Sequence, residues 1–362
     1  MTDDLPPRAI KGRGASSSAS GRFERHAYSA VDDGWSADDD VPPLRTVVGE
    51  DASRTVISYN DSPDLPFDRS INPYRGCEHG CIYCFARPSH AYLGLSPGLD
   101  FETRLFAKSD AAEVLKRELA KPQYRCRPIL LGANTDPYQP VERERRITRR
   151  VLEVLAECRH PVTILTKSDL VVRDLDLLAP MAANNLAGVG LSITTLKPQL
   201  ARTLEPRAKT PAKRLAAVRA LNQAGVPCGV MAAPMIPALN DDELEAILKA
   251  AAESGARWAG YVLLRLPHEI KDLFAEWLDD HAPDRARRVL GHIRAARGGK
   301  LYDSRFGERL RGQGPYADLL AKRFQLACRR YGLSQGRGSG LSLDSTLFRS
   351  PPADGGRQMS LF

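Results

Sequence analysis

Short apolar runs rich in β-branched residues alternate along the chain with longer stretches in which apolar residues return every three or four positions. The runs Ile129–Ala133, Val162–Thr166, Gly188–Ile193, Pro227–Ala232 and Trp258–Leu264 predict strands. The periodic stretches Ala111–Ala120, Arg143–Glu157, Leu170–Ala183, Pro211–Ala224 and Asp241–Glu253 predict helices between them. Asn240-Asp241-Asp242-Glu243 supplies an N-cap and first-turn acids for the last of these. Apolar runs alternating with helices suit a parallel sheet covered by helices. A further strand before Cys77 completes six βα units. The expected fold is therefore α/β: a partial (β/α)6 barrel over residues 46–280 with a basic helical extension over 281–333.

Both ends depart from this pattern. Residues 1–45 mix Lys11-Gly12-Arg13-Gly14, Ser16-Ser17-Ser18 and Asp38-Asp39-Asp40 with little apolar periodicity, the composition of a disordered arm. Residues 334–362, rich in Gly, Ser, Pro and Arg, read as a flexible tail. At 362 residues the chain can bury a sizeable core as one large domain or two ordinary ones. No apolar run approaches the ~20 residues needed to cross a bilayer, and the N-terminus lacks an apolar signal region, so the chain reads as cytoplasmic.

Lys and Arg number 52 against 44 Asp and Glu, a net charge of +8 that suits a polyanionic partner. The basic residues between Arg285 and Arg311 fit either a solvated helical face or a phosphate-binding surface. Seven cysteines, three of them within eight positions, argue for metal ligation in a reducing compartment rather than a disulfide framework. Cys126, Cys158, Cys228 and Cys328 are scattered and read as small buried hydrophobes.

The crowded three lie in Asn72-Pro73-Tyr74-Arg75-Gly76-Cys77-Glu78-His79-Gly80-Cys81-Ile82-Tyr83-Cys84-Phe85. Thiolates spaced C-x3-C-x2-C on one loop can converge on a single iron–sulfur cube, and Gly76 and Gly80 let the backbone fold tightly around it. Three ligands leave one iron open, as a reactive centre requires. The competing arrangement is a structural zinc completed by His79 or His90. That arrangement lacks a second C-x2-C hook, and His79 sits inside the loop it would have to close.

This motif, followed by an aromatic at the first strand of a βα barrel, resembles the radical S-adenosylmethionine (SAM) superfamily. The resemblance implies a [4Fe–4S] cluster on Cys77, Cys81 and Cys84, with SAM chelated at the open iron and cleaved to a 5′-deoxyadenosyl radical. From Asn72 to Asn240 further segments resemble spore photoproduct lyase and the relatives called DNA repair photolyases: Gly132–Pro140, Thr166-Lys167-Ser168, Leu191–Thr194, Leu204-Glu205-Pro206 and Ala233–Pro237. By that resemblance Lys167 and Ser192 hold the methionine carboxylate end. Thr135 and Asp136 face the methionyl amino group, and Phe85 lies in the cofactor-binding set.

Two departures change the expected product. Ala133 stands where the lyase has its hydrogen-donating cysteine, and Phe85 where it has a second tyrosine. Ordinary spore photoproduct lyase chemistry is then not expected. Tyr83 and Tyr138 are the phenols left to pass a hydrogen atom, with Cys126 or Cys228 as alternatives. The expected substrate is DNA, with RNA or protein as the alternative, and the expected reductant is flavodoxin or ferredoxin. Gln358-Met359-Ser360-Leu361-Phe362 resembles peptides that dock on the bacterial β sliding clamp: Gln358 for backbone hydrogen bonds, Leu361 and Phe362 for an apolar pocket.

Overall fold

The computed structural model describes residues 10–18, 20–24, 44–336 and 341–352. Its strands, in chain order, are β1 (Val47–Glu50), β2 (Ile57–Tyr59), β3 (Arg69–Ile71), β4 (Tyr74–Arg75), β5 (Arg104–Ala107), β6 (Ile129–Leu131), β7 (Val162–Thr166), β8 (Ala187–Ser192), β9 (Cys228–Met235), β10 (Trp258–Leu263) and β11 (Ser334–Gln335). Eight form one open sheet in the order β2-β3-β6-β7-β8-β9-β10-β11. All neighbours in it are parallel except β2 and β3. The six strands β3 and β6 to β10 are the parallel set that the apolar runs predict. The longer helices are α1 (Ala111–Leu119), α2 (Ile147–Glu157), α3 (Leu175–Ala183), α4 (Pro211–Gln223), α5 (Leu244–Glu253), α6 (Ile270–His281), α7 (Pro283–Ala295) and α8 (Pro315–Tyr331). No helix among the described residues is long and apolar enough to cross a membrane.

Local chemistry explains where elements differ from their expected bounds. The first run stops at Leu131 because Gly132 turns the chain at φ +98°, where an added Cβ would stand 2.3 Å from the Leu165 carbonyl oxygen. The stretch expected as one helix from Arg143 breaks at Arg146, which has φ +52°. The break turns the buried Glu142 inward. Its carboxylate accepts from the Tyr74 hydroxyl (2.5 Å) and from the Thr148 and Arg149 amides (3.1 and 3.3 Å), capping α2. The stretch from Leu170 opens as a 3-10 turn, Asp169–Asp174, because the Ser168 hydroxyl accepts from the Leu170 amide and starts it one register early.

The middle of the sheet is built around one indole. A Cβ on Gly229 would lie 2.0 Å from Trp258 Cδ2 and one on Gly190 would lie 2.8 Å from its Cη2, so glycine at both positions makes room for the ring. The sheet's open side is crossed by side chains. Arg309, in the segment after α7, pairs with Asp64 at 2.7 Å, and the Gly307 amide donates to the same carboxylate at 2.7 Å. Asp64 belongs to the β2–β3 connection at the opposite edge of the sheet.

Parts of both expected tails pack on the domain. Arg22 Nη1 donates to both carboxylate oxygens of Glu269, each at 3.0 Å. β11 pairs with β10. Beyond it, Leu341 lies against Gly188, and the amides of Asp344 and Arg349 donate to the carbonyls of Asn185 and Cys158. The clamp-like peptide Gln358–Phe362 and most of residues 1–45 lie outside the described residues.

Candidate active site at the three-cysteine loop

β4 leads into the cysteine loop and β5 leads away from it. Their antiparallel pairing, Tyr74 opposite Ala107 and Arg75 opposite Phe106, ties the base of the loop. Within it the Cys77 amide donates to the Phe101 carbonyl at 2.9 Å and the Cys84 amide to the Cys81 carbonyl at 3.1 Å. Gly80, at φ +65°, leaves no room for a side chain: a Cβ there would meet the Glu102 carboxylate at 2.6 Å. A fully buried cation fixes the turn. Arg87 donates from Nε to the Cys81 carbonyl (2.9 Å), from Nη2 to that of Gly80 (3.1 Å) and from Nη1 to that of Gly98 (2.8 Å). Its charge is met by the equally buried Glu102 at 2.5 Å.

The expected site residues come together around this loop in different ways. Thr135, after β6, donates its hydroxyl to the Gly76 carbonyl at 2.7 Å. Asp136 accepts from the Thr166 hydroxyl (2.6 Å), the Lys167 amide (2.7 Å) and the Tyr138 amide (2.9 Å), with His79 Nδ1 at 3.3 Å. Burial pushes this carboxyl up, but the imidazole of His79 and these donors outweigh it and hold the group down at about 2. Both residues therefore tie the strand ends to the cysteine loop. Lys167 ends 5.8 Å from the centre of the Tyr83 ring. Burial works against its charge, yet Cys81, Glu205 and Asp136 more than offset this and raise its pKa, so it stays an ammonium. Ser192 is buried at the end of β8.

Tyr83 is buried, and its hydroxyl bonds Thr194 at 3.1 Å and the carboxylate of Glu205. Glu205 also accepts from Thr194 at 2.6 Å and pairs with the buried Arg214, which donates to the Ser192 carbonyl at 2.8 Å. Burial raises the Glu205 carboxyl, but Arg214 and Lys167 lower it further and leave it at about 2. Tyr138 sits elsewhere, in the larger core, donating to Asp174 at 3.0 Å. Phe85 is 47% exposed, with the Arg265 guanidinium 4.6 Å from its ring centre.

Two ion pairs, Arg87–Glu102 and Glu205–Arg214, carry much of this architecture without standing out in the sequence. Glu205 falls within the lyase-like Leu204-Glu205-Pro206 segment, but its partner lies on α4 and only the folded chain brings them together. For Arg87 the one available signal is an arginine three residues after the last cysteine.

The donor set fits an iron–sulfur cube better than zinc. All three thiols are free. Burial, then Asp136 and the neighbouring thiols Cys81 and Cys84, push the Cys77 thiol well up. Burial pushes that of Cys81 up to about 12. Such thiols favour their neutral form until a metal draws off the proton. Three thiols on one short loop supply one thiolate for each of three irons of a cube. His90, a proposed zinc ligand, bonds the Arg104 carbonyl through Nε2 at 2.9 Å.

An open parallel sheet with a three-cysteine loop at the carboxyl end of its first parallel strand defines a radical SAM domain. Residues 71–251 match the Radical SAM superfamily, and the chain belongs to it; the superfamily's enzymes use a [4Fe–4S] cluster and SAM. The chain is 39% identical over 226 residues to an uncharacterized protein of Mycobacterium tuberculosis (strain ATCC 25618 / H37Rv), covering 62% of this chain and 66% of that relative, just under two thirds of its length. It is 30% identical over 173 residues to an uncharacterized protein of Methanocaldococcus jannaschii, covering 48% of this chain and 62% of that one. Among solved structures, spore photoproduct lyase complexed with dinucleoside spore photoproduct aligns over 80% of this chain and 81% of its own, with a TM-score of 0.58 at 16% identity. That likeness is one of fold.

Proposed function

We propose that this protein is a radical SAM enzyme acting on nucleic acid, with DNA as its substrate class. The observation that carries the radical reading is the clamped loop: three free cysteines whose backbone is held by Arg87 and Glu102, beside an ammonium, Lys167, kept charged by its surroundings. Cys77, Cys81 and Cys84 are the residues that would hold the cluster. When bound, it would supply the electron, drawn from the external reductant, that breaks the sulfonium S–C5′ bond of SAM to give methionine and a 5′-deoxyadenosyl radical. Lys167 and Ser192 receive the methionine carboxylate by charge and hydroxyl donation. Thr135 and Asp136, with their polar atoms engaged by Gly76, Thr166 and Lys167, act by positioning the loop. Tyr83, lying between two of the cysteines in sequence, is the phenol for hydrogen transfer at this site; Tyr138 serves the core.

Support for a nucleic-acid substrate comes from the rim. Phe85 adjoins the ligand Cys84 and presents half its surface to solvent, with Arg265 stacked on it, a pairing suited to a nucleobase. Arg285, Arg287, Arg288 and Arg294 on α7 are exposed, and the chain carries a net +8. Ala133 and Phe85 replace the hydrogen donors of spore photoproduct lyase, so a product other than repaired spore photoproduct is expected. A docked clamp and a flavodoxin or ferredoxin reductant complete the proposal.

The test is anaerobic reconstitution with iron and sulfide, reduction, and assay of 5′-deoxyadenosine with and without single-stranded DNA, duplex DNA or tRNA. Formation in the native chain and its loss in Cys81→Ala supports the radical reading. Salt-sensitive DNA affinity supports the substrate class. Deoxyadenosine formation without affinity for either nucleic acid would remove the substrate half of the proposal.

A further inference from the structure

We propose that the N-terminal segment Arg13-Gly14-Ala15 is a strap built into the cluster site, positioning the Cys81 turn and shielding its thiol. The inference rests on the cysteine loop being the cluster site but not on the identity of the substrate.

The segment is a distant piece of chain, yet it closes the polar shell of the loop. The Glu102 carboxylate accepts the Gly14 amide at Oε2 (3.0 Å) and the Ala15 amide at Oε1 (2.9 Å), while Oε1 also receives Arg87 at 2.5 Å. Arg13 adds a bond from Nη1 to the Glu102 carbonyl at 3.1 Å. Glu102 and Arg87 are both fully buried and Ala15 is 1% exposed, so water is not at hand to replace these amides. A continuous line of contacts runs from the strap through Glu102 to Arg87, and from Arg87 to the carbonyls of Gly80 and Cys81.

The fit is steric as well as electrostatic. A Cβ on Gly14 would stand 1.8 Å from the Gly80 carbonyl oxygen, a separation no side chain can occupy, so the strap meets the cysteine turn backbone against backbone. Three residues on, the Ser17 carbonyl accepts the Leu99 amide at 3.1 Å, and a Cβ on Gly98 would stand 2.1 Å from it. The strap therefore follows the loop at two separate close approaches. Outer contacts of this kind orient ligands and limit solvent access to a metal centre.

The test uses the full chain with Gly14→Ala and Glu102→Gln, and Lys11→Ala as a control at an exposed position. In the metal-free protein, alkylation at Cys81 is followed by mass spectrometry, with Cys126 as the internal reference. In the reconstituted protein, iron and sulfide content and the rate of bleaching in air are measured. The expected result is alkylation of Cys81 and bleaching each about ten-fold faster in Gly14→Ala, with Cys126 unchanged and Lys11→Ala like the native chain. Glu102→Gln, which leaves an amide oxygen for the strap but no charge for Arg87, shifts both rates in the same direction without a steric insult. Native rates in both variants overturn the strap. A native chain that takes up no iron, while Gly14→Ala still exposes Cys81, removes the radical reading and leaves the strap in place.

Discussion

Replacing Glu205 by glutamine isolates the energetic weight of the ion pair beneath the cysteine loop. The carboxylate is 2% exposed and accepts from Tyr83, Thr194 and Arg214, itself 1% exposed. Its pKa lies at about 2 against an ordinary 4.5. At 1.36 kcal/mol per unit, the site favours the anion by about 3 kcal/mol. Because the folded-state value is depressed, this contribution is complete above pH 4.5 and is lost as pH falls through about 2, so it is fully present at pH 7. Breaking one side of a buried pair costs about 3–5 kcal/mol. Arg214 keeps the carbonyls of Ser192 and Lys209, at 2.8 and 2.7 Å, which points to the lower end. Urea unfolding of the metal-free protein at pH 7 should show the loss directly, and Tm should fall by roughly 6 °C at about 2 °C per kcal/mol. Glu205→Gln combined with Arg214→Met should recover much of it, since no buried charge is then left alone. A single-variant loss under about 1 kcal/mol, or a double variant worse than the sum of the singles, refutes the reasoning.

Gly229→Ala forces a Cβ to 2.0 Å from the Trp258 ring and should cost about 3 kcal/mol, read as a lower urea midpoint with altered tryptophan fluorescence. His160 is fully buried, accepts from Tyr124 at 2.7 Å, and is held by burial at about 4 rather than 6.5. Its neutral form stabilises the fold fully above pH 6.5, and this contribution declines as pH falls toward 4; stability should drop by about 3 kcal/mol over that window, and His160→Gln should flatten the slope. Phe85→Ala and Arg265→Ala should each weaken single-stranded DNA binding by about 1–3 kcal/mol at fixed salt, measured by fluorescence anisotropy, without changing iron content; unchanged affinity in both would remove the stacking surface from the proposal.

The parallel strands were legible because a strand covered on both faces must be apolar throughout, and β7 occupies Val162–Thr166 as its run predicts. The cysteine spacing carried the site for a similar reason, since the ligands lie on one short loop. Helix breaks were not legible: the turn at Arg146 exists to bury Glu142 against Tyr74, a residue 68 positions away. Compositional reading also failed to mark residues 10–18 and 20–24 as packed, because Gly-Arg-Gly is polar and aperiodic whether it waves in solvent or lies against a carboxylate. Thr135 and Asp136 illustrate the same limit. Their position at strand ends drew attention, but only the folded geometry shows their oxygens turned toward Gly76, Thr166 and Lys167.

The path of residues 341–352 gives the molecule two poles. Leu341 and its neighbours rest where β8, β9 and β10 begin, alongside Asn185, Pro227 and Arg257, whereas the cysteine loop crowns the ends where the strands finish. The Arg349 amide, donating to the Cys158 carbonyl, and the Ser350 hydroxyl, donating to the Leu119 carbonyl, keep the described path on that lower pole. Residues 341–352 therefore close the end of the sheet away from the cysteine loop, so that a change there and a change at the loop act on opposite ends of the same strands.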